Sequence, residues 1–199
     1  MARCYSVLVP IRQPSNPSNL PRTWLVSDQR NDALLERALA KLPRGSGFIY
    51  RHRHLAPEAR RARFRKLLRH AHRHGHTVIL AGTAAEARLW GAHGAYGAPG
   101  TLAKGPRLRR LVTAHSLHEL RKAHRARADA VLLSPVFVTR SHPGSGALGA
   151  VRFRLIAARS TVPVIALGGM TAHRARSLAS TRWAAIDGLS GDSRQSPTT

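Results

Sequence analysis

Residues 162–171, Val-Pro-Val-Ile-Ala-Leu-Gly-Gly-Met-Thr, carry a β-branched apolar run into paired glycines and then a helix-capping threonine. A glycine without a Cβ lets an anion reach the backbone amides, and a following helix start favours negative charge. A second turn of this kind, Asp187-Gly188-Leu189-Ser190, follows another short apolar run. Gly168, Gly169, Asp187 and Gly188 are therefore candidate phosphate contacts, with a plain tight turn as the alternative. A third stretch, Ser134–Gly144, leaves an apolar run and becomes dense in hydroxyls, with Thr139, Arg140, Ser141 and His142 in series. Such a loop suits a diphosphate, whose oxygens take charge-assisted hydrogen bonds; a solvated loop is the other reading.

The elements that must position these residues alternate along the chain. Apolar runs are predicted as strands at Trp24–Ser27, Ser46–Arg51, Thr77–Ala81, Gly94–Gly97, Leu111–Thr113, Ala130–Leu133, Val162–Leu167 and Ala184–Ile186. Helical stretches lie between them. One is capped at Asn31-Asp32 and runs to Leu42; another runs from Pro57 to about His74, and a third turns Val151, Leu155 and Ile156 to one side. Strands apolar throughout and separated by helices point to parallel βαβ units covered on both faces. No G-x-G-x-x-G follows the first strand, which weighs against a dinucleotide-binding sheet.

Eight repeats favour a trimmed (β/α)8 TIM barrel, in which phosphates commonly sit on the loops after strands seven and eight. The boundaries predicted are an N-terminal extension at 1–22, the barrel at 23–191 and a polar tail at 192–199. No amphipathic eighth helix is legible after Ile186. The resulting gap is expected to be covered by residues 1–22 or by a second copy in a homodimer.

Composition narrows the function classes. A chain of 199 residues fits one domain. Its apolar runs are too short to span a membrane. Met1–Ile11 lacks the long apolar region of a secretory signal, and the lone Cys4 excludes an internal disulfide framework, so a cytoplasmic setting is expected. The formal charge of +24 raises the question of nucleic acid. The basic residues are dispersed, however, and aromatic residues make up only 5% of the chain, too few for stacking platforms. Nucleic acid is not expected as the biological partner.

Read in order from Thr23 to Gly191, these stretches resemble the thiamine-phosphate synthase family and its thiazole tautomerase relatives. Thr23–Arg30 resembles that family's opening L-Y-L-V-T-D-R, and Thr113-Ala114-His115-Ser116 its S-T-H-S. Ser134–His142 resembles G-P-x-F-x-T-x-T-K, and the Gly168-Gly169 segment resembles P-V-x-A-I-G-G-I. The resemblance implies thiamine biosynthesis: a pyrimidine diphosphate couples to a thiazole phosphate with loss of diphosphate, aided by Mg2+. It implies Thr139 and Ser141 near the thiazole phosphate, backbone contacts from Gly169, Asp187 and Gly188, and Thr113 near the diphosphate.

The departures from the pattern are specific. Tyr50-Arg51-His52-Arg53-His54 stands for Q-x-R-x-K, so Arg51 and Arg53 keep charge without the amide or lysine. Ala81-Gly82 replaces an Asn-Asp pair. His93 aligns with a metal-binding aspartate, His142 with the loop lysine, and Pro135 with the tautomerase histidine. No metal ligands are therefore expected among these positions, since a hard cation wants oxygen donors. Thr113, His115 and His142 are the candidate catalytic residues, the histidines because they titrate near neutrality. Three readings follow: a synthase using Arg51, Arg53 and His142 in place of metal charge, a binder or tautomerase-like relative, and a basic scaffold for nucleic acid.

Overall fold

A computed structural model of the chain describes residues 20–139 and 146–190. Eight parallel strands close on themselves in sequence order: β1 Thr23–Val26, β2 Gly47–Tyr50, β3 Thr77–Ala81, β4 Gly94–Gly97, β5 Arg109–Ala114, β6 Ala130–Leu133, β7 Val164–Ala166 and β8 Trp183–Ala185. Closure is by β1 against β8, with Trp24 opposite Ala184. Around them lie α1 Leu35–Lys41, α2 Pro57–Arg73, α3 Ala84–Leu89, α4 Pro99–Leu102, α5 Leu117–Arg125, α6 Gly149–Ala157 and α7 Ala172–Ser177.

Alternation along each strand splits the apolar residues into two cores. Trp24, Val26, Ile49, Ile79, Leu111, Leu132, Ile165 and Ala184 fill the barrel, while Leu25, Phe48, Val78, Val112, Val131 and Ala166 pack outward among the helices. The barrel floor is closed by Trp24, fully buried, whose Nε1–H donates to the Pro21 carbonyl at 2.9 Å. The Trp24 ring needs a neighbour with no side chain: a Cβ on Gly47 would lie 2.1 Å from it. Gly47→Ala is accordingly expected to destabilise the protein by about 3 kcal/mol, at the upper end of overpacking costs. A urea titration checks this; a midpoint within error of the parent protein would show that Trp24 can move aside.

Three expectations are corrected. The first helical turn is a 3-10 segment, Gln29–Leu34, capped by Asp28 through a capping box with Asn31, rather than starting from Asn31-Asp32. On α6 the buried face is Phe153 and Ile156, whereas Val151 and Leu155 are 71% and 66% exposed. Leu155 and Ile156 are adjacent and cannot share a face at helical period. The short α4, opened by Pro99, was not anticipated.

After β8 the described chain carries only the 3-10 turn Asp187–Leu189. The outward residues flanking the seam, Leu25 and Ala185, are nonetheless buried. The segment expected to cover them, 1–19, and the tail 192–199 lie outside the described residues. None of the described helices is long and apolar enough to cross a membrane. Exposed arginines stand on α2 (Arg61, Arg65), α5 (Arg121, Arg125), α6 (Arg152) and α7 (Arg176). The charge therefore rings the barrel instead of forming one stripe.

Candidate functional site at the strand C-termini

The strand C-termini form a mouth into which every second residue points. Gly168 and Gly169 follow β7 with φ of +98° and +59°, values that L side chains rarely adopt. A Cβ on Gly168 would sit 2.7 Å from Pro135 Cα, and one on Gly169 would sit 2.6 Å from the Val138 carbonyl oxygen. The turn thus threads tightly beneath the start of the loop after β6. That loop is tied back to it, since the Val136 and Phe137 amides donate to the Leu167 and Gly168 carbonyls at 2.9 and 3.1 Å.

The turn after β8 reaches the same place. A Cβ on Gly188 would lie 2.5 Å from the Met170 carbonyl oxygen, so the two glycine turns are in direct contact. Among the described residues the backbone N–H groups of Gly168 and Gly169 have no acceptor. Arg174 of α7 donates to the Gly169 carbonyl at 2.6 Å, with its guanidinium over the Phe137 ring at 4.9 Å. It buttresses the turn from outside.

A cationic cleft of about 220 Å3 opens beside this, between the ends of β1 and β2, lined by Asp28, Gln29, Arg51, His52, Arg53 and His54. An ion-pair chain connects it to the glycine turns. Asp187 meets Arg30 at 3.4 Å, Arg30 meets Asp28 at 2.9 Å, and Asp28 meets Arg51 at 3.8 Å. Burial alone would raise the Asp28 carboxyl, but the Arg30 hydrogen bonds and the nearby Arg51 charge outweigh it and hold the group below the usual range. Asp28 is therefore an anion that aims Arg51 across the cleft.

Beneath the cleft runs a buried relay that the sequence reading missed. The Arg51 amide donates to Ser27 Oγ at 2.8 Å, Ser27 Oγ meets His52 Nδ1 at 2.8 Å, and His52 Nε2 meets Asp32 Oδ1 at 2.7 Å. Asp32 accepts only, so Nε2 carries the proton of a neutral ring and Ser27 donates to Nδ1. The order resembles a nucleophilic triad, yet Ser27 and His52 are 0% and 1% exposed. An occluded hydroxyl cannot attack a substrate, and the relay instead braces the Arg51–His54 loop, where His52 holds a φ of +32°. Asp32 is further clamped by Arg63 at 2.8 Å, and Arg63 pairs with Glu36. The Arg63 hydrogen bond, outweighing burial, pulls the Glu36 carboxyl down to about 2.

Burial, only partly opposed by Asp32, lowers the His52 pKa, and burial lowers that of His76 as well. A histidine whose folded pKa lies below its unfolded value near 6.5 binds fewer protons in the native state. Its stabilising contribution is complete above that value and is lost as the pH falls through and below it. The paired carboxylates Asp28, Asp32 and Glu36, also lowered, lose theirs only as the pH falls below about 4. Melting temperature is expected to drop first between pH 7 and 5 and again below 4. A flat profile from 7 to 5 would contradict the neutral, buried assignment of these rings.

The other anticipated residues fall as follows. Thr113 ends β5 on an inward position, opposite Leu132, so it faces the mouth. Thr139 is half-buried in the loop after β6. His115 turns away: its amide and Nδ1 both engage Glu119 Oε2, at 2.7 and 2.8 Å, in the first turn of α5. Ser141 and His142 lie outside the described residues.

His93 is corrected outright. It precedes β4, at the strand N-termini, and its Nδ1 accepts from the Val78 amide at 2.9 Å, so it cannot reach the mouth. The mouth end of β4 is Gly97-Ala98-Pro99, and that of β3 is Ala81-Gly82. Where a side chain on residue 82 would stand lies the Glu86 carboxylate, 2.2 Å from an ideal Cβ and bound to Arg60 at 2.8 Å. Each mouth carboxylate is thus committed to a cation. No three His, Cys, Asp or Glu among the described residues could hold a metal. The residues present do not fit Mg2+.

Comparison with known proteins agrees with this geometry. The family model for thiamine monophosphate synthase matches residues 23–190. Over 59 residues the chain is 39% identical to the Aquifex aeolicus (strain VF5) protein named "Putative thiamine-phosphate synthase 2". That alignment covers 30% of this chain and 32% of that protein, so the chain spans about a third of the curated relative it matches. The solved thiamine phosphate pyrophosphorylase of Pyrococcus furiosus superposes with a TM-score of 0.74 at 18% identity, over 89% of this chain and 90% of that one. The enzyme of the same name from Bacteroides thetaiotaomicron gives 0.56 at 13%, over 90% of each chain. Identities this low speak to the fold alone. By its matched length, its closed eight-stranded barrel and its two touching glycine turns, the chain belongs to the thiamine monophosphate synthase family.

Proposed function

We propose that the mouth couples a thiazole phosphate to a pyrimidine diphosphate, with arginine charge standing where relatives of this resemblance use a metal. The contact between the Gly168-Gly169 and Gly188 turns carries this reading, because it gathers backbone amides around one phosphate-sized position. The neighbouring Arg51–His54 cleft supplies positive charge for a diphosphate leaving group.

In the reaction the bond between the pyrimidine methylene carbon and the diphosphate oxygen breaks, and the oxygen keeps the electron pair. The thiazole nitrogen lone pair then closes on the carbon cation, and no net proton transfer is required. Fixed guanidinium groups at the departing oxygens stabilise charge that develops only in the transition state. Asp28 and the Ser27–His52–Asp32 brace would hold Arg51 in place without reorganisation.

The test is incubation with both phosphorylated compounds in EDTA and in Mg2+, with mass-spectrometric detection of thiamine phosphate and released diphosphate. Product in EDTA, unchanged by Mg2+, is the expected result. Absence of product at high protein concentration, with thiazole phosphate still stabilising the fold, would reduce the function to binding.

A further inference from the structure

The face of the barrel opposite the mouth holds a group of imidazoles that the proposed function does not use. His70, Ala71, His72, Arg73, His74, Gly75 and His76 run from the last turn of α2 into the lead of β3, so a histidine recurs at every second residue. The ring centroids of His70 and His74 are 5.0 Å apart, and those of His74 and His76 are 6.1 Å apart, nearly parallel at 19°.

His76 is 3% exposed, and its Nε2–H donates to the Leu39 carbonyl at 2.8 Å. The proton is thereby fixed on Nε2, which leaves Nδ1 as a bare lone pair. That lone pair is buried with no donor, and so is Nε2 of His70. A buried polar atom left unmet costs roughly 1–3 kcal/mol, so two of them side by side call for an electron-pair acceptor. One ring nitrogen held by a backbone carbonyl with the other bare is also how metal-bound histidines are fixed in tautomer and direction.

We propose that His70 and His76, completed by His74, bind a borderline divalent transition-metal ion such as Zn2+ through imidazole nitrogen. As placed, no three side chains among the described residues stand at ligating separations. The set closes by rotation of the His74 ring, which is half-exposed at the C-cap of α2. His93 is not a ligand at Nδ1, which already accepts from the Val78 amide. The charged and titratable groups facing His76 are His70, His74 and Arg44 from the loop after α1. Arg44 packs its side chain on Gly75 and limits the affinity by like charge.

Nitrogen donors select Zn2+, Cu2+ or Ni2+ over Mg2+. Such an ion would tie the end of α2 to α1 through the Leu39 carbonyl. At the strand N-termini of a barrel this serves stability and not catalysis.

Equilibrium dialysis of the purified chain against ZnCl2, and separately MgCl2, tests the site, alongside Cu2+ electron paramagnetic resonance. One Zn2+ per chain, no retained Mg2+ and nitrogen coupling from at least two imidazoles are expected. His74→Ala, a change at a half-exposed position that leaves the buried His76 intact, is expected to weaken Zn2+ binding at least tenfold. His70→Gln is expected to do the same. Three outcomes would overturn the proposal: no retained Zn2+, stoichiometry and affinity unchanged in the His70→Gln/His74→Ala double variant, or Cu2+ spectra without nitrogen coupling. Failure here leaves the mouth chemistry untouched, because the two sites lie at opposite ends of the strands.

Discussion

Gly168→Ala is expected to abolish binding of thiazole phosphate and to weaken the fold by about 2–5 kcal/mol. The range joins two costs. An L side chain in a left-handed conformation costs about 1–2 kcal/mol per residue, and overpacking a filled site costs about 1–3 kcal/mol. Both apply at Gly168, where φ is +98° and a Cβ would stand 2.7 Å from Pro135 Cα. To relieve that overlap the loop after β6 must lift, and its Val136 and Phe137 amides would leave the Leu167 and Gly168 carbonyls. Chemical denaturation with and without thiazole phosphate measures both effects. Gly188→Ala separates them, because it sits on an exposed turn and pushes only against the Met170 carbonyl. It should leave most of the stability and still remove the ligand-induced gain. Full ligand stabilisation in both variants would mean that the phosphate binds elsewhere.

The second large effect is expected at Arg51. Arg51→Ala removes the guanidinium that Asp28 aims across the cleft, and hydrogen bonds to a charged group contribute about 1.5–3 kcal/mol, roughly 10- to 150-fold. kcat/KM for the pyrimidine diphosphate should fall by about that factor, with the KM for thiazole phosphate nearly unchanged. Arg51→Lys should recover only part, since an ammonium cannot match a diphosphate bidentately. Equal losses toward both substrates would show that the change had disturbed the whole mouth, and no loss would remove Arg51 from the diphosphate site.

Much of the barrel was legible because its strands are short continuous apolar runs between glycines and prolines. Thr77–Ala81, Gly94–Gly97 and Ala130–Leu133 have the bounds that the sequence suggested. Caps with a side-chain acceptor were legible too: Ser116 and Thr171 accept from the amides of Glu119 and Arg174. The α6 face was misread because Val151 and Leu155, apolar by type, lie on the solvent side, and residue type alone does not say which stripe is buried. His93 was misplaced because an alignment by residue order does not say at which end of a strand a side chain stands.

In the site, the glycine turns were legible from spacing. The contact between them was not, because it joins residues 170 and 188 across two strands. The Ser27–His52–Asp32 brace left no local signature: its partners are 25 and 20 positions apart, and His52 lies within a run that reads simply as basic. Asp28 sat within the opening motif, but its role depends on Arg30 and Arg51 arriving from either side.

Titration of thiazole phosphate into 15N-labelled protein, followed by amide resonance shifts, tests the assignment of the mouth most directly. The largest shifts are expected at the amides of Gly168, Gly169 and Gly188, saturating together with one ligand per chain. Shifts confined to the basic helices, with those three resonances unmoved at saturation, would contradict it.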